Sequence, residues 1–195
     1  MGCFMKQKQT ITTTKTLLKD RSVFLFGDIE EGLAFSIIKN LRYLSKLSID
    51  PIKIFIHSNG GCVDAGAAIV DEMTLLKDSG IEIKTIVQGK AYSYAAFISA
   101  LGTPGSRYST PNSSLMLHEV STELPQDYLG KQEEYTKYVK KQMEVIMKMV
   151  AVACGKGSAK KYPLFIKDVE KSIWLQSQEA IKYGLIDGIW TSKCL

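Results

Sequence analysis

Histidine is scarce in this chain: its 195 residues hold only His57 and His118. An imidazole base must therefore be one of these two. Cysteine is sparse as well. Cys3, Cys62, Cys154 and Cys194 lie far apart and form no CxxC pair. With no secretory signal, that argues against a disulfide framework or thiolate metal site and for reduced thiols in a cytoplasmic or equivalent reducing compartment. No apolar run approaches the roughly 18 residues that a membrane span needs. Charge of one sign is in only small excess, with a net charge of +5. The excess is local: Lys6, Lys8, Lys15 and Lys19 crowd the N-terminus, and Lys137, Lys140, Lys141 and Lys148 dot one segment. Basic residues are not interleaved with aromatic ones, so a nucleic-acid grip is not expected. In the opening MGCFMK, Lys6 stands where a myristoylation signal requires Ser or Thr, so no lipid anchor is expected.

What remains is the composition of a soluble globular domain, 45% hydrophobic and 23% charged, of a length that suits one core. Residues 1–16 are polar and threonine-rich and are expected to form a flexible tail, leaving 17–195 as a single domain. From there the pattern alternates. SVFLFG (22–27) reads as a buried strand, and residues 31–47 carry Leu33, Ile37, Leu41 and Leu44 at helical spacing. IKIFIH (52–57) reads as a strand, and 63–80 as a helix stopped by Gly80. IEIKTIVQ (81–88) and SSLMLHEV (113–120) read as further strands, with a short apolar helix starting at Ser93 between them. Strands and helices in this alternation predict an α/β layered domain with a largely parallel sheet. Ligands gather at the carboxyl ends of such strands, here His57–Gly61, Gln88–Ser93 and Leu117–Val120.

A long helix is predicted over about 127–154. Tyr135, Val139, Met143, Ile146, Val150 and Ala153 make one stripe, which Tyr138, Val145, Met149 and Val152 widen to about half the circumference. A face that broad needs cover on more than one side, from the domain itself or from a neighbouring subunit.

Both histidines fall at predicted strand exits. Ser93 follows one strand, His118 the next, and Gly60–Gly61 an earlier one. Ser93 could cap the helix that it begins or act as a nucleophile at a strand-to-helix turn. Acyl transfer needs a hydroxyl within reach of a base, and backbone N–H donors for the oxyanion. Ser93, His118 and Gly60–Gly61 supply one of each.

The motifs around these residues resemble those of the proteolytic subunit of the Clp protease over about residues 17 to 190. LLKDR (17–21) is similar to that family's entry to the first strand. HSNGGCVDAGAAIVDEM (57–73) is similar to its Gly-Gly segment, with Asn59 where proline is usual. GKAYSYAAF (89–97) resembles its nucleophile turn, PNSSLMLHEV (111–120) its histidine segment, and QSQEAIKYGLIDGI (176–189) its closing segment. The resemblance implies a Clp protease, crotonase-like fold of repeated ββα units with a long handle helix at 127–154. It implies heptameric rings stacked in pairs (tetradecamers), an AAA+ unfoldase partner that alone uses ATP, and no cofactor in this chain. Ser93 would be the nucleophile and His118 the base. Gly61 and Tyr94 would donate to the oxyanion, and Gly60–Val63 would bind the substrate polypeptide as an added strand.

The sequence departs from the family in four places. Ser172 occupies the triad aspartate's position in DVEKSIWLQSQEA (168–180). Its hydroxyl can accept the histidine's N–H but supplies no charge, while Asp168 and Glu170 lie nearby in sequence and Glu170–Lys171 matches a pair used in ring contact. EVSTELPQDYLG (119–130) replaces a glycine-rich stretch, and an insertion surrounds GKGSAKKYPLF (155–165). The N-terminus lacks the tyrosine-containing axial segment that meets the ATPase. Two readings follow: a serine endopeptidase working through an acyl-enzyme on Ser93, or a structural subunit of mixed rings with little activity of its own. Acyl-CoA-processing relatives of the fold lack the serine–histidine pair.

Overall fold

A computed structural model describes residues 18–119 and 129–192. The expected tail at 1–16 and most of the divergent stretch 119–130 lie outside the described residues. The described chain runs β1 (Ser22–Phe26), α1 (Glu31–Leu47), β2 (Ile52–Ser58), α2 (Val63–Asp78), β3 (Ile83–Tyr92) and α3 (Tyr94–Ala100). It continues through β4 (Arg107–Ser109), β5 (Ser114–Leu117), α4 (Leu129–Ala153), α5 (Tyr162–Glu170), β6 (Ile173–Gln176), α6 (Ser177–Tyr183) and β7 (Gly188–Ile189).

The strands form one sheet with the order β1-β2-β3-β4-β7, and β5 joins β3 and β6 off this path. Every pairing is parallel except β5 with β6. The strands of a parallel sheet need crossover helices, and α1 and α2 serve β1–β2 and β2–β3. Alternation along β1 and β2 buries Val23, Leu25, Ile52, Ile54 and Ile56 against Ile37, Leu41, Leu44, Ile69 and Met73 of these helices. The opposite face of the sheet carries a row of rings, with Phe24 stacked on Phe55, and Trp190 edge-on to both Phe55 and Tyr108.

Two expectations change. The strand expected over 81–88 ends at Tyr92, because β3 changes neighbour halfway along. Thr85–Val87 pairs with β4 and Lys90–Tyr92 with β5. Gly89, at φ 93, is the corner between the halves rather than the strand's exit, a backbone conformation that glycine adopts without a Cβ penalty. The strand expected over 113–120 is confined to Ser114–Leu117, beside the antiparallel strand β6.

The long helix divides its apolar surface as its breadth requires. Val139, Met143, Ile146, Met147, Val150 and Ala151 are buried in the core, whereas Tyr135, Tyr138, Val145 and Val152 remain exposed.

Candidate active site

The glycine pair after β2 is held by the segment after β1. Ile29 N–H donates to Gly60 O (2.7 Å) and Cys62 N–H to Ile29 O (2.8 Å), a one-rung parallel bridge between Ile29 and Gly61. In such a rung the intervening residue's own N–H points to the other side, so the Gly61 N–H faces away from Ile29. Gly60 N–H is occupied by Ser58 Oγ at 3.0 Å. Gly60, at φ 95, has no room for a side chain: a Cβ there would stand 2.7 Å from Ser93 Cβ and 3.0 Å from Tyr94 N. The glycine turn therefore lies directly against the turn that carries Ser93.

Ser93 occupies that turn in a conformation rare for a residue with a side chain, φ 53 and ψ −128. Its N–H donates to Met116 O at 2.9 Å, while its side chain makes no capping hydrogen bond to α3. The capping role open to this serine from sequence is absent. A non-glycine residue in this region costs on the order of 1–3 kcal/mol, and such strain concentrates at functional sites. A sharp strand-to-helix turn that exposes a serine hydroxyl is a nucleophile geometry known from other hydrolases. Tyr94 is the first residue of α3, so its N–H has no acceptor within the helix. Its ring is buried over Gly66 of α2, where a side chain would collide with it. Burial pushes the phenol's pKa up, helped by the negative charges of Asp71 and Asp64, so Tyr94 stays neutral.

Tyr92 is paired with Met116, and His118 follows the end of β5 two residues later. His118 and Ser93 thus leave neighbouring strands at the same end of the sheet, both half-buried. Among the described residues no hydrogen bond joins Ser93 Oγ to His118. On the far side of β5 the last antiparallel rung sets Leu117 opposite Ile173. Ser172 is the next residue outward on β6, as His118 is on β5, and it has φ 58.

The other candidates lie elsewhere. His57 sits on the open face of the sheet, its Nδ1 2.7 Å from Gln88 O, with Gly89 packed against the ring. Asp168 accepts a hydrogen bond from Tyr183 OH at 2.9 Å, and Glu170 lines a cleft between α4 and α5 with Lys140 and Met143. Neither carboxylate meets His118 through a hydrogen bond. Among the described residues no group of three or more His, Cys, Asp or Glu could hold a metal ion. No described helix is long and apolar enough to cross a membrane. Cys62 and Cys154 are free thiols.

The family model described as Clp protease matches residues 5–193 of this chain. The ATP-dependent Clp protease proteolytic subunit of Lactococcus lactis subsp. lactis (strain IL1403) is 33% identical over 180 residues, covering 92% of this chain and 87% of that one. The protein of the same description from Streptococcus uberis (strain ATCC BAA-854 / 0140J) is 33% identical over 174 residues, 89% of this chain and 86% of that one. The one from Ligilactobacillus salivarius (strain UCC118) is 33% identical over 181 residues, covering 91% and 86%.

The chain belongs to the Clp protease family. It is accordingly a proteolytic subunit, a hydrolase of the serine endopeptidase class. Two parts of this candidate site carried no signal in the sequence. Ile29, whose backbone braces Gly60–Gly61, sits in a plain Gly-Asp-Ile turn. Met116, whose carbonyl anchors Ser93, reads only as a strand residue.

Proposed function

We propose that Ser93 is the nucleophile of this peptidase, His118 its general base, Ser172 the third member, and the N–H groups of Gly61 and Tyr94 the oxyanion donors. The observation that carries this reading is the strained, uncapped Ser93 turn packed against Gly60. In the forward reaction, His118 takes the Ser93 hydroxyl proton as Oγ attacks the scissile carbonyl. The tetrahedral oxyanion is held by the two N–H groups. Collapse expels the amine, which leaves with the proton from His118, and water then releases the acyl group by the same steps in reverse roles. Ser172 accepts the base's second N–H and fixes its tautomer, but it offers the imidazolium no charge. The protein therefore works as a slow member of its class. Ser93 and His118 close to hydrogen-bond distance when substrate or neighbouring subunits are bound, as catalytic contacts commonly do.

Gly60–Val63 takes the substrate polypeptide as an added strand. The exposed α4 stripe of Tyr135, Tyr138, Val145 and Val152 joins subunits into paired heptameric rings. An AAA+ unfoldase, which alone consumes ATP, is the partner that delivers substrate. The compartment is reducing and cytosol-like, in keeping with the free thiols. A fluorophosphonate or β-lactone probe tests the assignment. It is expected to label Ser93 in assembled protein and not the Ser93→Ala variant. Failure to label, beside an active control, overturns the assignment in favour of a structural subunit of mixed rings.

A further inference from the structure

We infer that Asn59 is a positioning residue that couples the oxyanion-donor turn to the nucleophile strand, an inference that rests on the Ser93 reading above. Its side-chain amide reaches in two directions: Nδ2 donates to Asp28 Oδ1 at 3.1 Å, and Oδ1 accepts from Lys90 Nζ at 2.7 Å. The amide has one workable orientation. Turned over, its NH₂ would face an ammonium and its carbonyl a carboxylate, and neither contact could form. The three residues stand at the carboxyl ends of β1, β2 and β3, so a single amide ties three successive strand ends together.

What the clamp holds is the glycine turn of the site. Asn59 directly precedes Gly60 and Gly61, whose φ of 95 and 147 show a backbone free of side-chain restraint. Asp28 directly precedes Ile29, which forms the bridge to Gly61. The Asp28–Asn59 bond is therefore the side-chain rung beside that backbone rung. Lys90 lies on the half of β3 that leads into Ser93. Its ammonium also stands 5.9 Å from the Tyr92 ring, which keeps it along the strand. Through Asn59, the direction of the Gly61 N–H and the position of Ser93 are set by one hydrogen-bonded line.

All three side chains are exposed or half-buried, so the line adds little to global stability. Its value is orientation: removing an oxyanion donor altogether costs on the order of 10²–10³ in rate, and misaiming one costs part of that, about tenfold. In the assembled full-length protein, Asn59→Ala is expected to lower peptidase kcat about tenfold with KM within twofold. The thermal midpoint and oligomeric state should be unchanged. Hydrogen exchange of the 59–62 amides is expected to quicken. Asp28→Lys and Lys90→Asp are each expected to lower kcat, because two like charges then flank one amide. The double variant Asp28→Lys/Lys90→Asp is expected to recover it, because the amide turns over and finds both partners again. Unchanged exchange at 59–62 in Asn59→Ala overturns the clamp whether or not the protein is active. So does an unchanged kcat in a protein whose Ser93 is labelled. A native protein that labels nowhere overturns the Ser93 reading instead, and the exchange experiment then decides the clamp alone.

Discussion

His118 and Ser172 are the next residues beyond the last antiparallel rung of β5 and β6, where Leu117 faces Ile173. A carboxylate at position 172 would therefore have the backbone footing to meet the imidazole and would bring the charge that a serine hydroxyl lacks. The φ of 58 at this position also suits the change, since aspartate tolerates the left-handed region better than most residues. Ser172→Asp is expected to raise peptidase kcat at least tenfold, out of the roughly 10⁴ that such a carboxylate is worth elsewhere. An unchanged rate with rings intact would show that another group already orients His118.

The strained turn gives a second expectation. At φ 53 and ψ −128, Ser93 pays for its exposure in backbone energy. Ser93→Gly is expected to abolish activity while raising stability by about 1 kcal/mol, a rise of a few degrees in the thermal midpoint. Ser93→Ala is expected to abolish activity and leave the midpoint close to the native value, since alanine keeps the Cβ. Parallel melting curves of the three proteins check this. A Ser93→Gly protein less stable than the native one would remove strain as the reason for the conformation.

Much of this arrangement was legible in the residues themselves. The alternation of apolar runs and helical stripes placed β1 to β3 and their crossover helices, because each parallel strand must be reached through a crossover whose helix packs on the sheet. Ser93, His118 and Gly60–Gly61 stood out because each fell at a strand exit. Other features depend on pairing, which single-strand patterns do not encode. β6 is four residues with an exposed Trp174, and only its partner β5 makes it a strand. The stretch 155–165 read as an insertion, and its last residues begin the helix α5. Gly89 read as an exit because a mid-strand glycine at a change of partner has the same local signature as one at a strand end. The dihedral of Ser93 and the brace from Ile29 arise from tertiary packing and leave no mark in composition or spacing.

The exposed half of the α4 stripe yields a third expectation. Val145 and Val152 are 55% and 68% exposed on a helix whose other face is packed in the core. On the proposed reading that this stripe joins subunits, a charge there opposes assembly and leaves the subunit fold alone. Val145→Glu with Val152→Glu is expected to shift the protein from rings to smaller species at micromolar concentration in analytical ultracentrifugation. Circular dichroism is expected to be unchanged. Assembly that survives both charges would place the subunit interface elsewhere.

The fourth expectation concerns the pair that locks the C-terminal segment onto the sheet. Arg107, 7% exposed at its side chain, donates through Nε to Asp187 Oδ2 at 2.8 Å. Its Nη1 donates to the carbonyls of Ala100, Ala153 and Gly184, so one guanidinium joins the ends of α3, α4 and α6. Burial alone would raise the Asp187 pKa, but the hydrogen bonds from the Arg107 side chain and backbone and from Gly105 N–H outweigh it. The net shift is downward. A carboxylate with a depressed folded pKa holds more protons when unfolded, at about pH 3.9 and below. Its stabilisation is therefore complete above that pH and is lost as the pH falls toward the folded value. Asp187→Ala leaves a buried guanidinium without its counter-charge and is expected to cost about 3 kcal/mol at neutral pH. It should also flatten the acid limb of stability below about pH 4. Urea melts of native and variant protein at neutral pH and along an acid series check both parts. A variant that loses stability at neutral pH yet keeps the native acid limb would show that another carboxylate controls acid unfolding.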